Sequence, residues 1–383
     1  MRIGFDAKRI VSNGTGLGSY GRTLVNDLAT VAVGNELTLY APDNGKEELR
    51  NMVSTAANIT FAYPRHNKSG RNNSLISRLR GDIWRTCGIV KTLQCDGIDI
   101  YHGLSGELPL GIKKSGIKSV VTIHDLIFLR HPEYYNRIDV AIYSWKFRKT
   151  IAEADRIIAI SECTKRDIIH YGNVDESKID LVYQSCGTHF KQRATEAERK
   201  RVKEKYNLPE RYVINLGTIE ERKNAMLAVK AMRHVPDYLK LVIAGRRTPY
   251  VDKIKQYVTE NRLENRIILL HNVPYADLPA LYQMAEVSVY PSRYEGFGIP
   301  IIESIQSGLP VVACSGSCLE EAGGNDNIYV DPDDDKALAH GICQSLRDTE
   351  DREERILRSQ QYVRRFENNN VAAQVLDIYK QLL

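Results

Sequence analysis

Short apolar runs alternate with helix-period stretches along almost the whole chain. Ile3–Phe5, Leu37–Tyr40, Ile98–Tyr101, Ser119–Ile123 and Ile157–Ile160 are compact, rich in Val and Ile, and bounded by turn residues. Stretches such as Ser19–Thr30 and Tyr143–Ala154 lie between them and read as helices. This alternation predicts a parallel sheet with crossover helices. The pattern then restarts. Tyr212–Leu216, Lys240–Ala244, Ile267–Leu269, Val287–Tyr290, Val311–Ala313 and Ile328–Val330 are strand candidates, with helices at Ala225–Met232 and Tyr250–Glu260. Two successive Rossmann-like α/β domains are the simplest account. The break falls within residues 184–211, where a turn-like Gln184-Ser185-Cys186-Gly187-Thr188 precedes a charged, helix-prone run, Ala194 to Tyr206. The expected division is residues 1–185, a linker 186–210, a second domain 211–362, and a C-terminal helix 363–383 whose apolar period runs from Val371 to Leu383.

Open α/β sheets bind ligands at the carboxyl ends of their strands, so the chemistry is sought there. The most informative segment is Glu295-Gly296-Phe297-Gly298-Ile299-Pro300-Ile301-Ile302-Glu303. It reads as a tight loop entering a helix, between the strand Val287–Tyr290 and a stop at Ser307-Gly308-Leu309-Pro310. Gly298 lets backbone approach a ligand closely, and the helix start offers amides to an anion. Glu295 and Glu303 can accept hydrogen bonds from hydroxyls. Together these suit a sugar attached to a phosphate.

Other strand ends carry weaker signals. Asn13-Gly14-Thr15-Gly16-Leu17-Gly18 follows the first strand; it is either a flexible loop or backbone that admits phosphate or sugar. Val120-Val121-Thr122-Ile123 ends in His124-Asp125, which places the imidazole where a site would lie, with Asp125 orienting it or capping the next segment. Ser161 opens a helix and is either its N-cap or a ligand contact. Val213 to Leu216 runs into Gly217-Thr218, then Glu220-Glu221-Arg222-Lys223-Asn224. Adjacent cations there suit a diphosphate, Arg as a bidentate clamp and Lys as a point charge; the alternative is a surface charge cluster.

Composition narrows the classes. With 383 residues, 43% hydrophobic and 26% charged, the chain is an ordinary globular one, not a disordered or fibrous one. Seven scattered Cys without a C-x-x-C pair favour reduced thiols in a cytoplasmic protein. Cys314 and Cys318 lack the His partners of a zinc site, so no metal is expected. No apolar run is long enough for a membrane span, and no signal peptide is expected. The net charge of +5 lies wholly in residues 1–185, with 25 Lys and Arg against 20 Asp and Glu. Within it, residues 65–85 hold six cations and one acid, with Leu75, Ile76, Leu79, Ile83 and Trp84 interleaved. They form either a solvated helix face or a peripheral contact with anionic lipid at the inner face of the membrane. No nucleic-acid-binding motif occurs.

In these residues the chain resembles the family-4 retaining glycosyltransferases of GT-B fold, and among them mannosyltransferase-like members. The early Gly-rich loop, Thr122-Ile123-His124-Asp125-Leu126, Gly217-Thr218-x-x-x-Arg222-Lys223-Asn224 and the Glu295–Glu303 segment match in order. The resemblance implies two domains facing across a cleft, with the C-terminal helix crossing back to the first. It implies transfer of a hexose, mannose from GDP-mannose, to a hydroxyl of a glycan or polyprenyl-linked acceptor in surface polysaccharide synthesis. The configuration would be retained, with no metal or cofactor; the nucleotide-sugar is a co-substrate. His124, Arg222, Lys223 and Glu295 would be catalytic. Gly16, Gly217, Phe297, Gly298, Ile299 and Glu303 would bind the donor, with Glu303 on the ribose, and Asp125 and Ser161 would stand on the acceptor side. A UDP-sugar-dependent transferase and a nucleotide-sugar epimerase of this architecture are the alternatives. Two departures from the family pattern are Ser185-Cys186-Gly187-Thr188 at the join and Ser317-Cys318-Leu319-Glu320-Glu321.

Overall fold

A computed structural model describes residues 1–64, 80–184, 186–366 and 368–383. Two compact units emerge, Met1–Gln184 with Asn368–Leu383, and Ser185–Glu367. The first holds β1 (Arg2–Asp6), β2 (Glu36–Tyr40), β3 (Ile59–Ala62), β4 (Ile100–Gly103), β5 (Lys118–Ile123), β6 (Arg156–Ala159) and β7 (Ile179–Leu181). The second holds β8 (Tyr212–Leu216), β9 (Lys240–Ala244), β10 (Ile267–Leu270), β11 (Val287–Tyr290), β12 (Val311–Cys314) and β13 (Ile328–Val330). Helices that bear on function are α1 (Gly16–Val31), α2 (Arg137–Glu153), α3 (Glu162–Gly172), α4 (Glu196–Lys205), α5 (Ala225–Ala231), α6 (Ile299–Gln306) and α7 (Asn368–Leu382).

Both sheets are parallel, in orders β3-β2-β1-β4-β5-β6-β7 and β10-β9-β8-β11-β12-β13. Their strands read as near-continuous apolar runs because helices cover both faces. In the first unit Ile3, Phe5 and Val120 pack on one side, and Tyr101, Val121 and Ile123 on the other. The terminal helix α7 belongs to the first of these layers through Val371, Ala372, Val375 and Tyr379, alongside Leu24 and Leu28 of α1.

Three differences from the sequence expectation have physical causes. The strands β3 and β7 were not expected. Both are sheet edges; β3 is only partly buried, and β7 has three residues, of which Asp180 pairs with Arg156. Residues 186–210 fold into the second unit and are not a bare linker. Phe190, Val202 and Leu208 are core residues, and α4 is tied down by Arg201 and Lys205 on Asp277 at 2.7 and 2.8 Å. Finally, α2 starts six residues before the apolar period does, because Asn136 caps it by accepting from the Asp139 amide at 2.8 Å.

The Gly-rich entry to α1 contains two unlike glycines. A Cβ on Gly18 would lie 1.9 Å from the carbonyl oxygen of Asn13, whereas one on Gly16 would meet nothing within 4 Å. Gly18 is therefore a packing requirement. Gly18→Ala is expected to lose about 2–3 kcal/mol of stability in chemical denaturation, and Gly16→Ala less than about 1 kcal/mol. Equal losses would contradict this division.

Candidate active site

The order of the second sheet assembles the site. Strand order reverses between β8 and β11, which pair through Val213–Val287 and Ile214–Ser288. The loops leaving their carboxyl ends therefore run side by side, although some seventy residues separate them. The amide of Arg293 donates to the carbonyl of Arg222 at 3.0 Å and joins the loops directly. Sheets of this kind bind ligands at such a reversal.

Arg222 and Lys223 lie in a short turn after β8, which ends at Asn224 in a left-handed conformation (φ 53°) held by a bond from its side chain to the Pro332 carbonyl, 2.8 Å. Glu295 lies in the loop after β11 and is 8% exposed. Its carboxylate bonds the Lys223 ammonium and stands 3.1 Å from the Arg222 guanidinium. Lys223 also donates to the Tyr290 hydroxyl at 2.9 Å, and Arg222 to the Tyr294 carbonyl at 2.6 Å and to Glu220 at 2.9 Å. Burial pushes the Glu295 carboxyl up, but Lys223 and Arg222 outweigh it and hold it at about 2. Burial likewise pushes Lys223 down, and the Glu295 charge more than reverses this. All three groups are ionised at neutral pH. The Tyr290 hydroxyl also donates to Glu295 at 3.3 Å, so a ligand hydroxyl would share this carboxylate with Lys223, Arg222 and Tyr290.

The following helix start carries backbone amides of the kind that suit an anion. Gly298 has φ +115°, the left-handed region that glycine alone adopts easily, and precedes Ile299-Pro300 at the head of α6. Helix geometry leaves the Gly298 and Ile299 amides outside the internal ladder. Phe297 is 3% exposed and packs edge-on against Phe366 at 5.1 Å, so its side chain is a packing contact. Cys318, in one of the two departures from the family pattern, is fully buried; its thiol donates to the carbonyls of Phe297 and Glu295 at 2.8 and 3.1 Å. It anchors the loop. Among the described residues no group of three His, Cys, Asp or Glu could hold a metal. The other departure, Cys186, donates to Gln306 at the end of α6, 2.8 Å. Gly217 (φ +151°) presents its carbonyl so close to Gly245 that a Cβ there would lie 1.7 Å from the oxygen.

Glu303 is one turn into α6, 6% exposed, with the Tyr282 hydroxyl donating at 3.3 Å. Burial raises its carboxyl to about 7, against the pull of Tyr282. The two glutamates are thus electrostatic opposites: Glu295 is fixed as an anion, and Glu303 is an under-solvated acceptor awaiting donors.

In the first unit, His124 follows β5. Its Nε2–H donates to the Leu104 carbonyl at 2.9 Å and its Nδ1 accepts from the Gln184 amide at 2.7 Å. Tyr20 of α1 meets the ring edge-on at 4.8 Å. Burial lowers its pKa to about 4, so the imidazole is neutral. Beneath it, Tyr20 and His102 share the Thr122 hydroxyl at 3.1 and 2.8 Å, and His102 bonds Tyr379 of α7 at 2.6 Å. Asp125 accepts from the Ile127 amide at 3.3 Å. Ser161 caps α3 by accepting from Thr164 at 3.0 Å and is fully buried, so of its two readings the cap is the one occupied. Gly16 heads α1 over open space. Sequence reasoning gave no site role to Tyr290, Tyr282 or Gln184, and weighed Cys318 only as a zinc ligand and as a departure from the family pattern. Tyr290 carried the best available signal, closing the strand that delivers Glu295.

Of the basic stretch 65–85, residues 65–79 lie outside the described residues. Arg85 is not a surface cation: it is 8% exposed and clamps Asp6 bidentately at 2.9 and 2.6 Å. No helix among the described residues is long and apolar enough to cross a membrane.

Comparison with known proteins agrees with this geometry. The family description Glycosyl transferases group 1 matches residues 196–362, and Glycosyltransferase Family 4 matches residues 14–185. O-antigen chain mannosyltransferase B of Escherichia coli is 32% identical over 288 residues, 74% of each chain. The O-antigen chain mannosyltransferase RfbU of Salmonella typhimurium is 29% identical over 256 residues, 67% of each. The crystal structure of Anabaena HepE in complex with UDP and glucose superposes with a TM-score of 0.75 over the whole of both chains at 16% identity. The fold is GT-B, with two Rossmann-like domains, and the chain belongs to the family-4, group 1 glycosyltransferases. It is a glycosyltransferase, which sets the epimerase alternative aside.

The contrast between the glutamates gives a pH test. Glu303 is raised from its ordinary value near 4.5 to about 7, so the folded state holds a proton that the unfolded chain releases. Stability therefore falls as pH rises from about 4.5 to 7. Glu303→Gln removes that penalty. Its stability gain over the native chain should be near zero at pH 4 and approach about 3 kcal/mol at pH 8. A gain independent of pH, read by urea unfolding, would contradict the assignment.

Proposed function

We propose that the protein transfers mannose from GDP-mannose to a hydroxyl of a glycan or lipid-linked acceptor, with retained anomeric configuration and without a metal ion. The observation that carries this is the Arg222–Lys223–Glu295 cluster beside the helix start at Gly298. Two fixed cations and helix-start amides outside the internal ladder suit a diphosphate, and the adjacent carboxylate suits a sugar hydroxyl. Glu303 suits a ribose, whose hydroxyls would supply the donors it lacks. Mannose is favoured because the relatives named above are O-antigen mannosyltransferases. A UDP-sugar donor is the second reading, favoured by the UDP and glucose in the Anabaena structure. The acceptor is assigned to the strand ends of the first unit, around His124 and Asp125.

In the reaction the C1–O bond to the diphosphate breaks and its electron pair goes to the leaving phosphate oxygen. Arg222 and Lys223 stabilise that charge, taking the part a divalent ion would otherwise play; loss of one such contact typically costs about 10²–10³ in rate. The acceptor oxygen bonds to C1 on the same face, and its proton passes to the leaving phosphate. Glu295 is not the nucleophile of a double displacement, since both its oxygens are already held by cations. Neutral His124, which bonds Leu104 and Gln184 through its two nitrogens, is a polar contact and not a proton carrier.

The test is transfer from radiolabelled GDP-mannose and from a panel of UDP-sugars, in chelator, with product configuration read by NMR. Transfer from GDP-mannose to an α-linked product is expected, and Arg222→Ala with Lys223→Ala should abolish it in a folded protein. A β-linked product, a requirement for added metal, or near-normal turnover of the double variant would each overturn the corresponding part.

A further inference from the structure

Helix α2 carries apolar residues on two opposite faces. Phe147, Thr150 and Ile151 are buried, and this inward face is fully engaged. Lys146 reaches Glu107 at 3.0 Å, Thr150 accepts from the Leu108 amide at 3.4 Å, and Glu153 accepts from the Gly111 and Lys113 amides, both at 3.0 Å. The outward face is apolar as well. Ile138 is 73% exposed, Ile142 45% and Trp145 48%. At about 100° per residue, these three fall with Arg137, Ala141, Arg148, Lys149 and Ala152, all exposed, on one continuous arc of about 140°.

The charge on this arc has one sign. Arg137, Arg148 and Lys149 are exposed, while the acids of the helix are partly buried and occupied: the Asp139 carboxylate accepts from the Asn136 side-chain amide, and Glu153 from the Gly111 and Lys113 amides. Fold stability does not require three large apolar side chains in water beside three cations. The combination suits the boundary between lipid headgroups and acyl chains, where Trp is favoured and long cationic side chains reach back to phosphates. A second copy of this chain is disfavoured, because the arc would set cations against cations, and residues 1–185 already carry the whole +5 excess.

We propose that the outward arc of α2, Ile138, Ile142 and Trp145 flanked by Arg137, Arg148 and Lys149, docks the protein on an anionic lipid bilayer. This site is distinct from residues 65–85 and independent of the donor reading. Bound this way, the first unit would meet a lipid-linked acceptor in two dimensions rather than three.

Co-sedimentation of the full chain with vesicles tests this, using phosphatidylcholine alone and phosphatidylcholine mixed with phosphatidylglycerol. The native chain should bind the mixed vesicles and remain largely free with the neutral ones. Arg148→Glu with Lys149→Glu should lower the partition coefficient at least about 25-fold, at about fivefold per cation, and Ile138→Glu with Trp145→Glu should abolish binding. Val33→Glu, at an exposed apolar residue elsewhere in the unit, should change nothing. Unfolding midpoints of all variants should match the native chain. The proposal is overturned if the native chain binds neither vesicle or both equally, if the α2 variants bind as the native chain does, or if sedimentation shows self-association that the same substitutions abolish.

Discussion

A buried carboxylate shared by two cations is the interaction on which the second unit's site depends. Taking Glu295, Lys223 and Arg222 out of water is costly, and leaving any one of them without the others would cost several kcal/mol more. Their mutual attraction outweighs the burial that disfavours each charge. The cluster also brings two distant loops into one surface. Without Glu295, the turn after β8 would hold two like charges side by side, with only Glu220 on Arg222 to offset them. With it, the cations stand in place before any ligand arrives, which is what electrostatic preorganisation requires.

That cluster exists because of strand order. A reversal between β8 and β11 sets their carboxyl ends side by side, and the rest is local chemistry. Asn224 takes a left-handed turn, Gly298 opens the head of α6, and the Cys318 thiol holds two carbonyls of the loop between the glutamates. Glu303 is treated in the opposite way. Burial with one hydroxyl donor leaves it close to half protonated at neutral pH, a state that hydroxyl donors from a ligand would relieve. Two carboxylates eight positions apart thus have different chemistry because one has cations as neighbours and the other has a tyrosine.

The sheet strands were legible in sequence because buried parallel strands are nearly continuous apolar runs. Those that escaped, β3 and β7, are edge strands with little burial and so little pattern. Arg222, Lys223, Glu295 and Glu303 were legible as candidates because polar groups at strand ends of an α/β sheet stand out. Their pairing was not, since nothing in a linear chain says that Glu295 meets Lys223 rather than a ligand; that needs the strand order. Residues 186–210 looked like a linker because α4 is so highly charged, yet Phe190, Val202 and Leu208 suffice to fix it. The outward arc of α2 left no signal either, because apolar residues on both faces cancel the periodicity that marks an amphipathic helix.

In the proposed reaction Lys223, held by Glu295, recognises the second phosphate of the donor. Calorimetric titration of the native chain and of Lys223→Met, with GDP and with GMP, measures this most directly. The native chain should bind GDP at least about a hundredfold more tightly than GMP, and Lys223→Met should lose most of that difference while its affinity for GMP changes little, since removing one charge-assisted contact costs about 1.5–3 kcal/mol. Equal affinity of the native chain for GDP and GMP, or an undiminished preference in Lys223→Met, would contradict it.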